Sequence, residues 1–213
     1  LGRSQIMFQA STKKLLLVFI FLVSSLLIAE DYQPGKHYQV LSKPIATRDP
    51  KKIEVIEFFW FGCGHCYSLE NQLNKWEKKL PVDIDFWRSP ITWNEMAKTH
   101  ARLFYAAEHF NNPTIIRDTF LSIHANKRML TSERELQPFF ASFGIAKDQY
   151  QSLFNSFAMQ NKIRRADANG LKYEIRGVPA FIVNGKYKVF ATRQVGTFEL
   201  LDVVDYLIKL ERN

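Results

Sequence analysis

The chain contains only two cysteines, Cys63 and Cys66, and their spacing is the feature best suited to chemistry. In a helix, residues i and i+3 lie on one face with Cβ atoms ~5 Å apart. That separation is compatible with the short Cα–Cα distance that a disulfide requires. The spacing therefore predicts a redox-active pair. A purely structural disulfide is disfavoured, because closing so short a loop constrains the unfolded chain little.

Metal binding is the main alternative use of two nearby cysteines. Structural zinc takes four protein ligands, usually in two paired groups, and the sequence has no second cysteine pair. His65 lies between the cysteines. The other histidines are scattered without ligand spacing: His37, His100, His109 and His124. We therefore expect no metal and no separate cofactor, with the Cys63–Cys66 disulfide itself as the redox group.

Residues 1–29 have the pattern of an export signal. Two adjacent lysines precede an apolar stretch, and Ala29 offers a small residue at the expected cut. The apolar stretch falls short of the ~20 residues needed to span a bilayer. Leu27 is larger than the residue usual three positions before a cut, so an uncleaved anchor stays an alternative. We expect a signal peptide over residues 1–29 and a mature domain over residues 30–213.

Composition narrows the class of partner. The 213-residue chain carries a formal net charge of +8, and this length suits one domain with a sizeable core. The basic residues form no block and no repeat with aromatic residues. Solvated faces explain such a charge pattern more simply than a nucleic acid does, so we expect no nucleic-acid partner.

The segments around the cysteines predict the start of an α/β layer. Ile53 to Trp60 is apolar on both alternating faces and rich in β-branched and aromatic residues, which predicts a buried central strand. Cys63 to Lys79 then has the pattern of a helix that Pro81 stops, and Val82 to Trp87 that of a second strand. This order of elements is the βαβ unit.

The rest of the chain predicts an interruption of this layer. From about residue 93 to residue 170 the pattern is helical only. Strand patterns return in Ala180–Val183 and Lys186–Phe190, joined by an Asn184-Gly185 hairpin turn. A last amphipathic helix runs from about Thr197 to Leu210. We expect one α/β domain with an all-helical insertion at about residues 93–170.

Two segments carry a family resemblance: Glu57 to Tyr67 (EFFWFGCGHCY) and Arg176 to Tyr187 (RGVPAFIVNGKY). They resemble the DsbA-type periplasmic thiol-disulfide oxidoreductases, and the likeness covers essentially the whole mature chain. The resemblance implies a thioredoxin-like fold with a helical insertion and a periplasmic location. It further implies that the protein donates a disulfide to unfolded or partly folded secreted proteins, and that a membrane quinone-linked partner reoxidises it.

One residue departs from that family's pattern. Gly64 stands where the family usually has proline, so the dipeptide between the cysteines is Gly-His, similar to that of protein disulfide isomerases. Isomerases are milder oxidants than DsbA-type proteins. A disulfide reductase or isomerase is therefore one alternative. A non-catalytic peptide-binding chaperone, suggested by the aromatic residues near the motif, is an alternative of a different class.

The cysteines and the histidine between them can be given roles. Cys63, expected at the N-terminal end of its helix, is the predicted nucleophile. The helix dipole contributes up to ~2 kcal/mol there. That energy lowers the pKa of the thiol by only about one and a half units, so direct hydrogen bonds must supply the rest. His65 is the expected cationic or donating neighbour of the thiolate, and the less exposed Cys66 is the expected resolving thiol.

Two further positions are candidates for the site. Glu57 is expected to be buried, where desolvation raises its pKa and lets it exchange a proton with Cys66. The alternative is a core acid held by a structural partner such as a lysine. Val178-Pro179 resembles the cis-proline loop that faces the cysteines in thioredoxin folds, and it would offer backbone groups of Val178 to an extended substrate peptide. The alternative is an ordinary trans turn.

Overall fold

The strand predicted before the cysteines lies inside a mixed sheet. The computed structural model describes residues 32–212, so the predicted signal peptide lies outside the described residues. The strands are β1 (Gln39–Val40), β2 (Ile53–Phe59), β3 (Ile84–Pro90), β4 (Ala180–Val183) and β5 (Tyr187–Phe190). They form one five-stranded sheet in the order β1-β5-β4-β2-β3.

The β2 strand has neighbours on both sides, which explains its apolar sequence. It pairs in parallel with β3 and antiparallel with β4, and all of its residues after Ile53 are buried. A strand covered on both faces needs apolar side chains at alternate and intervening positions alike. The exceptions are two buried acids, Glu54 and Glu57. Glu57 stands opposite Arg88 of β3 in the parallel register.

Seven α-helices lie within residues 32–212. They are α1 (Gly64–Glu77), α2 (Glu95–His109), α3 (Thr114–His124), α4 (Glu133–Ala141), α5 (Lys147–Asn155), α6 (Phe157–Lys172) and α7 (Leu200–Arg212). Helices α2 to α6 lie between β3 and β4 in the chain, which confirms the predicted fold class of an α/β domain with an all-helical insertion. Over the same residues no helix combines the length and apolar character needed to cross a membrane.

Some predicted boundaries are wrong. The second strand begins at Ile84 and ends at Pro90, because Val82 lies in a turn and is 91% exposed. The last helix opens with a 3₁₀ turn at Thr197–Glu199 before α7 begins. The hairpin is confirmed: Asn184 and Gly185 both have positive φ, at 49° and 62°. This is the conformation that a two-residue type I′ turn requires.

The helical insertion packs directly on the end of β2. Phe59, Phe61 and Cys66 belong to a cluster of buried residues that is otherwise built from the insertion, including Phe104 and Phe120. A second cluster lies between the sheet and helices α1 and α7. The cysteine segment is thus held between the sheet on one side and the insertion on the other.

Candidate active site

Cys63 lies at the N-terminal end of α1. Cys63 is the N-cap residue, with extended φ and ψ of −88° and 119°, and the helix begins at Gly64. The Cys63 N–H donates to the carbonyl of Trp60 at 3.0 Å, and the Tyr67 N–H donates to the carbonyl of Cys63 at 3.1 Å. The thiol therefore lies beside the first backbone N–H groups of the helix, which have no partner within the helix.

Hydrogen bonds at this tip stabilise the Cys63 thiolate. They lower the pKa of Cys63 to about 6, the largest contribution coming from the side chain of Cys66. Partial burial opposes the shift, whereas the backbone N–H groups of Cys66 and His65 and the charge of His65 add to it. The helix dipole alone is too weak to lower the pKa of Cys63 this far. The direct hydrogen bonds expected from the sequence are therefore present.

Cys66 has the opposite character. It lies on the buried face of α1 with Leu69 and Leu73, and it is 1% exposed. Burial, followed by its hydrogen bond to Cys63, raises the pKa of Cys66 well above its ordinary value. Both thiols are free, so the structure is that of the reduced pair. The pair thus consists of one accessible thiolate and one shielded thiol.

His65 is exposed and anchored from outside its own helix. Its Nδ1 lies 3.2 Å from Oγ1 of Thr197, in the 3₁₀ turn before α7. Gln72 of α1 donates to the carbonyl of Phe198 in the same turn at 3.0 Å. Sequence reasoning missed Thr197, because nothing in the local pattern marks a hydroxyl that meets a residue so distant in sequence.

The Val178–Pro179 loop faces Cys63. Their peptide bond is cis, as the resemblance implied. The Sγ of Cys63 lies 3.3 Å from the carbonyl oxygen of Val178 and donates to it when the thiol is protonated. Pro179 is buried, whereas Val178 is partly exposed. The backbone of Val178 and the sulfur of Cys63 therefore border the same small area of surface.

Glu57 belongs to a buried charge cluster. Its Oε2 accepts from Nε of Arg88 at 2.5 Å, and Arg88 also donates to both carboxylate oxygens of Glu70, at 3.1 and 2.8 Å. The guanidinium stacks over the ring of Phe59, 4.2 Å from its centroid. The structural partner of Glu57 is therefore an arginine and not a lysine.

This cluster holds two carboxylates against one guanidinium. Burial raises the pKa of Glu57 to about 7; Arg88 lowers it and the charge of Glu70 raises it. The second oxygen of Glu57 is buried with no hydrogen-bond partner. The pKa of Glu57 stays raised despite this ion pair, because Arg88 makes two of its three bonds to Glu70 and can balance only one negative charge.

Two members of the cluster were missed in the sequence, although each left a signal. Arg88 is a charged residue inside an apolar strand, in register with Glu57. Glu70 lies on the buried face of α1, one turn after Cys66. Buried charges are normally paired, so Glu57, inside a strand predicted to be buried, indicates that a cation lies nearby. Across residues 32–212 no group of three or more His, Cys, Asp or Glu is arranged to hold a metal ion.

A family model named DSBA-like thioredoxin domain matches residues 54–201, which include both cysteines and the Val178–Pro179 loop. The chain belongs to this family. Thiol:disulfide interchange protein DsbA of Pseudomonas aeruginosa is 36% identical over 185 residues, covering 86% of this chain and 88% of that protein. The DsbA of Azotobacter vinelandii is 35% identical over 184 residues, covering 86% of each.

Solved structures agree with the DsbA-like fold. The crystal structure of Pseudomonas aeruginosa DsbA superposes with a TM-score of 0.80 at 36% identity, covering 86% of this chain and 96% of that chain. The oxidoreductase NmDsbA1 of Neisseria meningitidis gives 0.73 at 25% identity, over 84% and 94%. This DsbA-like protein is therefore a thiol:disulfide oxidoreductase with a thioredoxin-like fold. Proteins of its family carry out their chemistry with a redox-active pair of cysteines.

Proposed function

We propose that this protein is exported to the periplasm and there donates its Cys63–Cys66 disulfide to cysteines of newly translocated proteins. One observation carries the proposal: hydrogen bonds, chiefly from Cys66, lower the pKa of Cys63 to about 6, while burial raises the pKa of Cys66. A stable Cys63 thiolate stabilises the reduced protein, and that makes the disulfide form an oxidant. The DsbA relatives support this interpretation over a reductase, an isomerase or a chaperone.

The reaction moves two electrons from a client dithiol to the cysteine pair. A client thiolate attacks Sγ of Cys63; the Cys63–Cys66 bond breaks, and a mixed disulfide between client and Cys63 forms. A second client thiolate then attacks the client sulfur of that bond, and Cys63 leaves as a thiolate. The client ends with a disulfide and the enzyme with a dithiol. Cys63 is a good leaving group because its thiolate is stabilised.

Cys66 needs a proton when it leaves as a sulfur anion in a buried place. We assign the supply of that proton to Glu57, whose pKa is raised to about 7 by burial, so that it holds a proton near neutral pH. The charge of Glu57 is also among the causes that raise the pKa of Cys66, which supports their proximity. His65 assists by stabilising the Cys63 thiolate.

The Val178–Pro179 loop is assigned to substrate binding. The Val178 carbonyl lies 3.3 Å from Sγ of Cys63. A client strand that pairs with the backbone of Val178 would carry its cysteine to that sulfur. Strand addition of this kind takes affinity from main-chain hydrogen bonds, so it accepts many client sequences. That suits unfolded or partly folded secreted proteins as clients.

Each turnover leaves the pair reduced, so an oxidant must regenerate it. We assign this step to a membrane quinone-linked reoxidase, as the family resemblance implies. Export by a signal peptide at residues 1–29, leaving a domain at residues 30–213, belongs to the same proposal. Fractionation of producing cells and N-terminal sequencing of the recovered protein test it. Protein confined to the cytoplasm would contradict it.

The direct test replaces Cys63 with serine. C63S should lose all ability to oxidise a reduced client peptide, because no disulfide can form. C66S should lose oxidation too, yet keep a thiol at Cys63 that alkylates rapidly at neutral pH. Ser68→Ala, on the exposed face of the same helix, serves as the control with unchanged activity. Oxidation by C63S at the wild-type rate would reject the proposal.

The direction of the reaction needs a separate measurement. Gly64 is the one residue that favours a milder role, because the dipeptide between the cysteines is like that of isomerases. Equilibration of the protein in glutathione buffers gives its redox potential. A potential near that of thioredoxin, about −270 mV, would exclude the donor role while leaving the thiol chemistry intact.

A further inference from the structure

His124 of the helical insertion reaches the turn that carries Cys63. It is the last residue of α3, yet its Nε2 lies 2.7 Å from the carbonyl oxygen of Phe61, which is 63 positions away in sequence. A carbonyl oxygen can only accept, so Nε2 carries the proton and donates. This bond links the insertion to the backbone two residues before the nucleophile.

The histidine ring is also fixed against the helix that follows Cys63. It stacks on Tyr67 of α1, with ring centroids 4.7 Å apart and planes 5° from parallel. The Tyr67 N–H donates to the carbonyl of Cys63 at 3.1 Å. Phe120, one turn earlier on α3, packs against the same ring, 6.2 Å between centroids. His124 therefore contacts the chain on both sides of Cys63.

The turn between β2 and α1 leaves little freedom for Phe61 once this bond is made. The Cys63 N–H closes the turn on the carbonyl of Trp60 at 3.0 Å. A Cβ atom at Gly62 would collide with the Trp60 side chain, so the two residues approach closely. The hydrogen bond from His124 fixes the remaining peptide plane of the turn, the one between Phe61 and Gly62.

We propose that His124 is a positioning residue for Cys63: its bond to the Phe61 carbonyl holds the turn that sets Cys63 at the tip of α1. The inference deepens the proposed function, since it assumes that Cys63 is the nucleophile. It makes the helical insertion part of the redox centre, because α3 supplies the side chain that fixes the turn. Without the bond, Cys63 loses its alignment with the N–H groups of His65 and Cys66.

The chain offers a matched control in His100. Its Nε2 also lies 2.7 Å from a carbonyl oxygen, that of Met129, which is within the insertion. His100 is 1% exposed, and its ring stacks on Trp60 with centroids 6.0 Å apart. Replacement of His100 by phenylalanine removes a bond of the same kind and length, keeps a ring, and leaves the Phe61 carbonyl bonded to His124.

The experiment compares three variants by their equilibrium with glutathione and by the titration of Cys63. H124F keeps the stacked ring but loses the donor; H124Q keeps a donor amide but loses the ring; H100F is the control. H124F should shift the thiol–disulfide equilibrium about five-fold toward the enzyme disulfide, as expected for one lost hydrogen bond. It should also raise the pH at which Cys63 ionises. H124Q and H100F should match the wild type in both measurements.

Each other outcome overturns the proposal. Wild-type values for H124F mean that the bond does not position Cys63. Equal shifts in H124F, H124Q and H100F mean that general packing of the insertion is responsible. If H124F does not fold, nitrogen NMR of the labelled wild type decides, since the neutral ring must carry its proton on Nε2 and a proton on Nδ1 contradicts the geometry. Failure of the proposed function is distinguishable, because C63S would then retain oxidase activity.

Discussion

At the scale of single residues, one hydrogen bond acts on the two cysteines in opposite directions. The Cys66 side chain stabilises the Cys63 thiolate and makes the largest contribution to lowering its pKa to about 6. The same bond raises the pKa of Cys66, in addition to burial. The proposed division between nucleophile and resolving thiol is therefore a property of the pair, and replacing one cysteine changes the pKa of the other.

Replacement of Cys66 by alanine should raise the pKa of Cys63, because the donor that stabilises the thiolate most is gone. In C66S a hydroxyl can still donate, so the pKa of Cys63 should stay closer to the wild-type value of about 6. Ultraviolet absorbance of the thiolate as a function of pH measures both. Identical titrations in C66A and C66S would contradict the assignment of the hydrogen bond.

The same shift fixes how the stability of the reduced protein depends on pH. The folded-state pKa of Cys63 lies below the ~8.5 of an unfolded cysteine. The stability that the Cys63 thiolate adds to the folded protein is therefore fully present above pH ~8.5. It is lost as pH falls through about 6. The excess stability of the reduced over the oxidised protein should therefore grow from pH 6 to pH ~8.5. Denaturant unfolding of both forms measures it, and a constant difference would contradict the shift.

Glu57→Gln should remove a second pH dependence of the unfolding free energy, the one that comes from Glu57 and not from Cys63. Burial raises the pKa of Glu57 from 4.5 to about 7, so the folded protein binds more protons than the unfolded chain between these values. The free energy of unfolding therefore falls as pH rises through this window. A shift of this size corresponds to on the order of 3 kcal/mol.

The measurement is denaturant unfolding of the oxidised protein at pH 5 and pH 8, since the oxidised form has no titrating thiols. The glutamine variant still accepts the bond from Arg88 but cannot ionise, so its unfolding free energy should change less between the two values. A wild-type protein whose stability rises over this range would show that Glu57 keeps its charge. Its proposed role as proton donor to Cys66 would then be lost.

At the scale of elements, the start of α1 determines how well the thiolate is held. Gly64 is the first helical residue, it is exposed, and a Cβ atom there would meet no atom within 4 Å. Proline is compatible with this position of a helix. The N–H groups that lower the pKa of Cys63 belong to the next residues, His65 and Cys66. Glycine leaves φ less restricted than proline does, so Gly64 fixes the orientation of these N–H groups less firmly than a proline would.

Gly64→Pro should make the protein a stronger oxidant, because a fixed φ holds those N–H groups toward the thiolate and stabilises the reduced form. It should also raise the free energy of unfolding by ~0.4–1 kcal/mol in both redox states by restricting the unfolded chain. Redox potentials in glutathione buffers and denaturant unfolding measure the two effects. Gly64→Ala is the control, since it adds a side chain without fixing φ. Equal potentials in the proline and alanine variants would contradict the argument.

The elements that sequence reasoning predicted correctly are those with local signals. Strand β2, helix α1 and the Asn184-Gly185 hairpin depend on patterns within a few residues, and the structure confirms them. The start of β3 was placed too early, because Val82 is apolar but lies in a turn. Thr197 and His124 were not identified, since hydrogen bonds between elements distant in sequence leave no periodic pattern.

At the scale of the whole molecule, the insertion forms part of the buried environment of Cys66. Cys66 lies in one buried cluster with Phe59 and Phe61 from the sheet side and Phe120 from α3. The Phe120 and Phe61 rings meet edge to face, 4.8 Å between centroids. Burial is the first cause of the raised pKa of Cys66. The contact between insertion and sheet therefore has a chemical consequence as well as a structural one.

Phe120→Ala should lower the pKa of Cys66 toward its ordinary value, because the cavity lets water approach the thiol. Large-to-small changes of this kind cost about 3–5 kcal/mol of unfolding free energy. Phe140→Ala is the matched control: Phe140 is fully buried in the insertion and stacks on Tyr150, 4.5 Å between centroids. It should cost similar stability without moving the titration of Cys66.

Denaturant unfolding gives the stability of the two variants, and thiol titration with Cys63 alkylated gives the pKa of Cys66. If both variants leave that pKa unchanged, the insertion does not shield the resolving thiol. If both lower it equally, loosening of the whole insertion is the cause, and the specific contact between Phe120 and Phe61 is not. A shift confined to the Phe120 variant means that packing at this one contact keeps Cys66 protonated, as its proposed role during client oxidation requires.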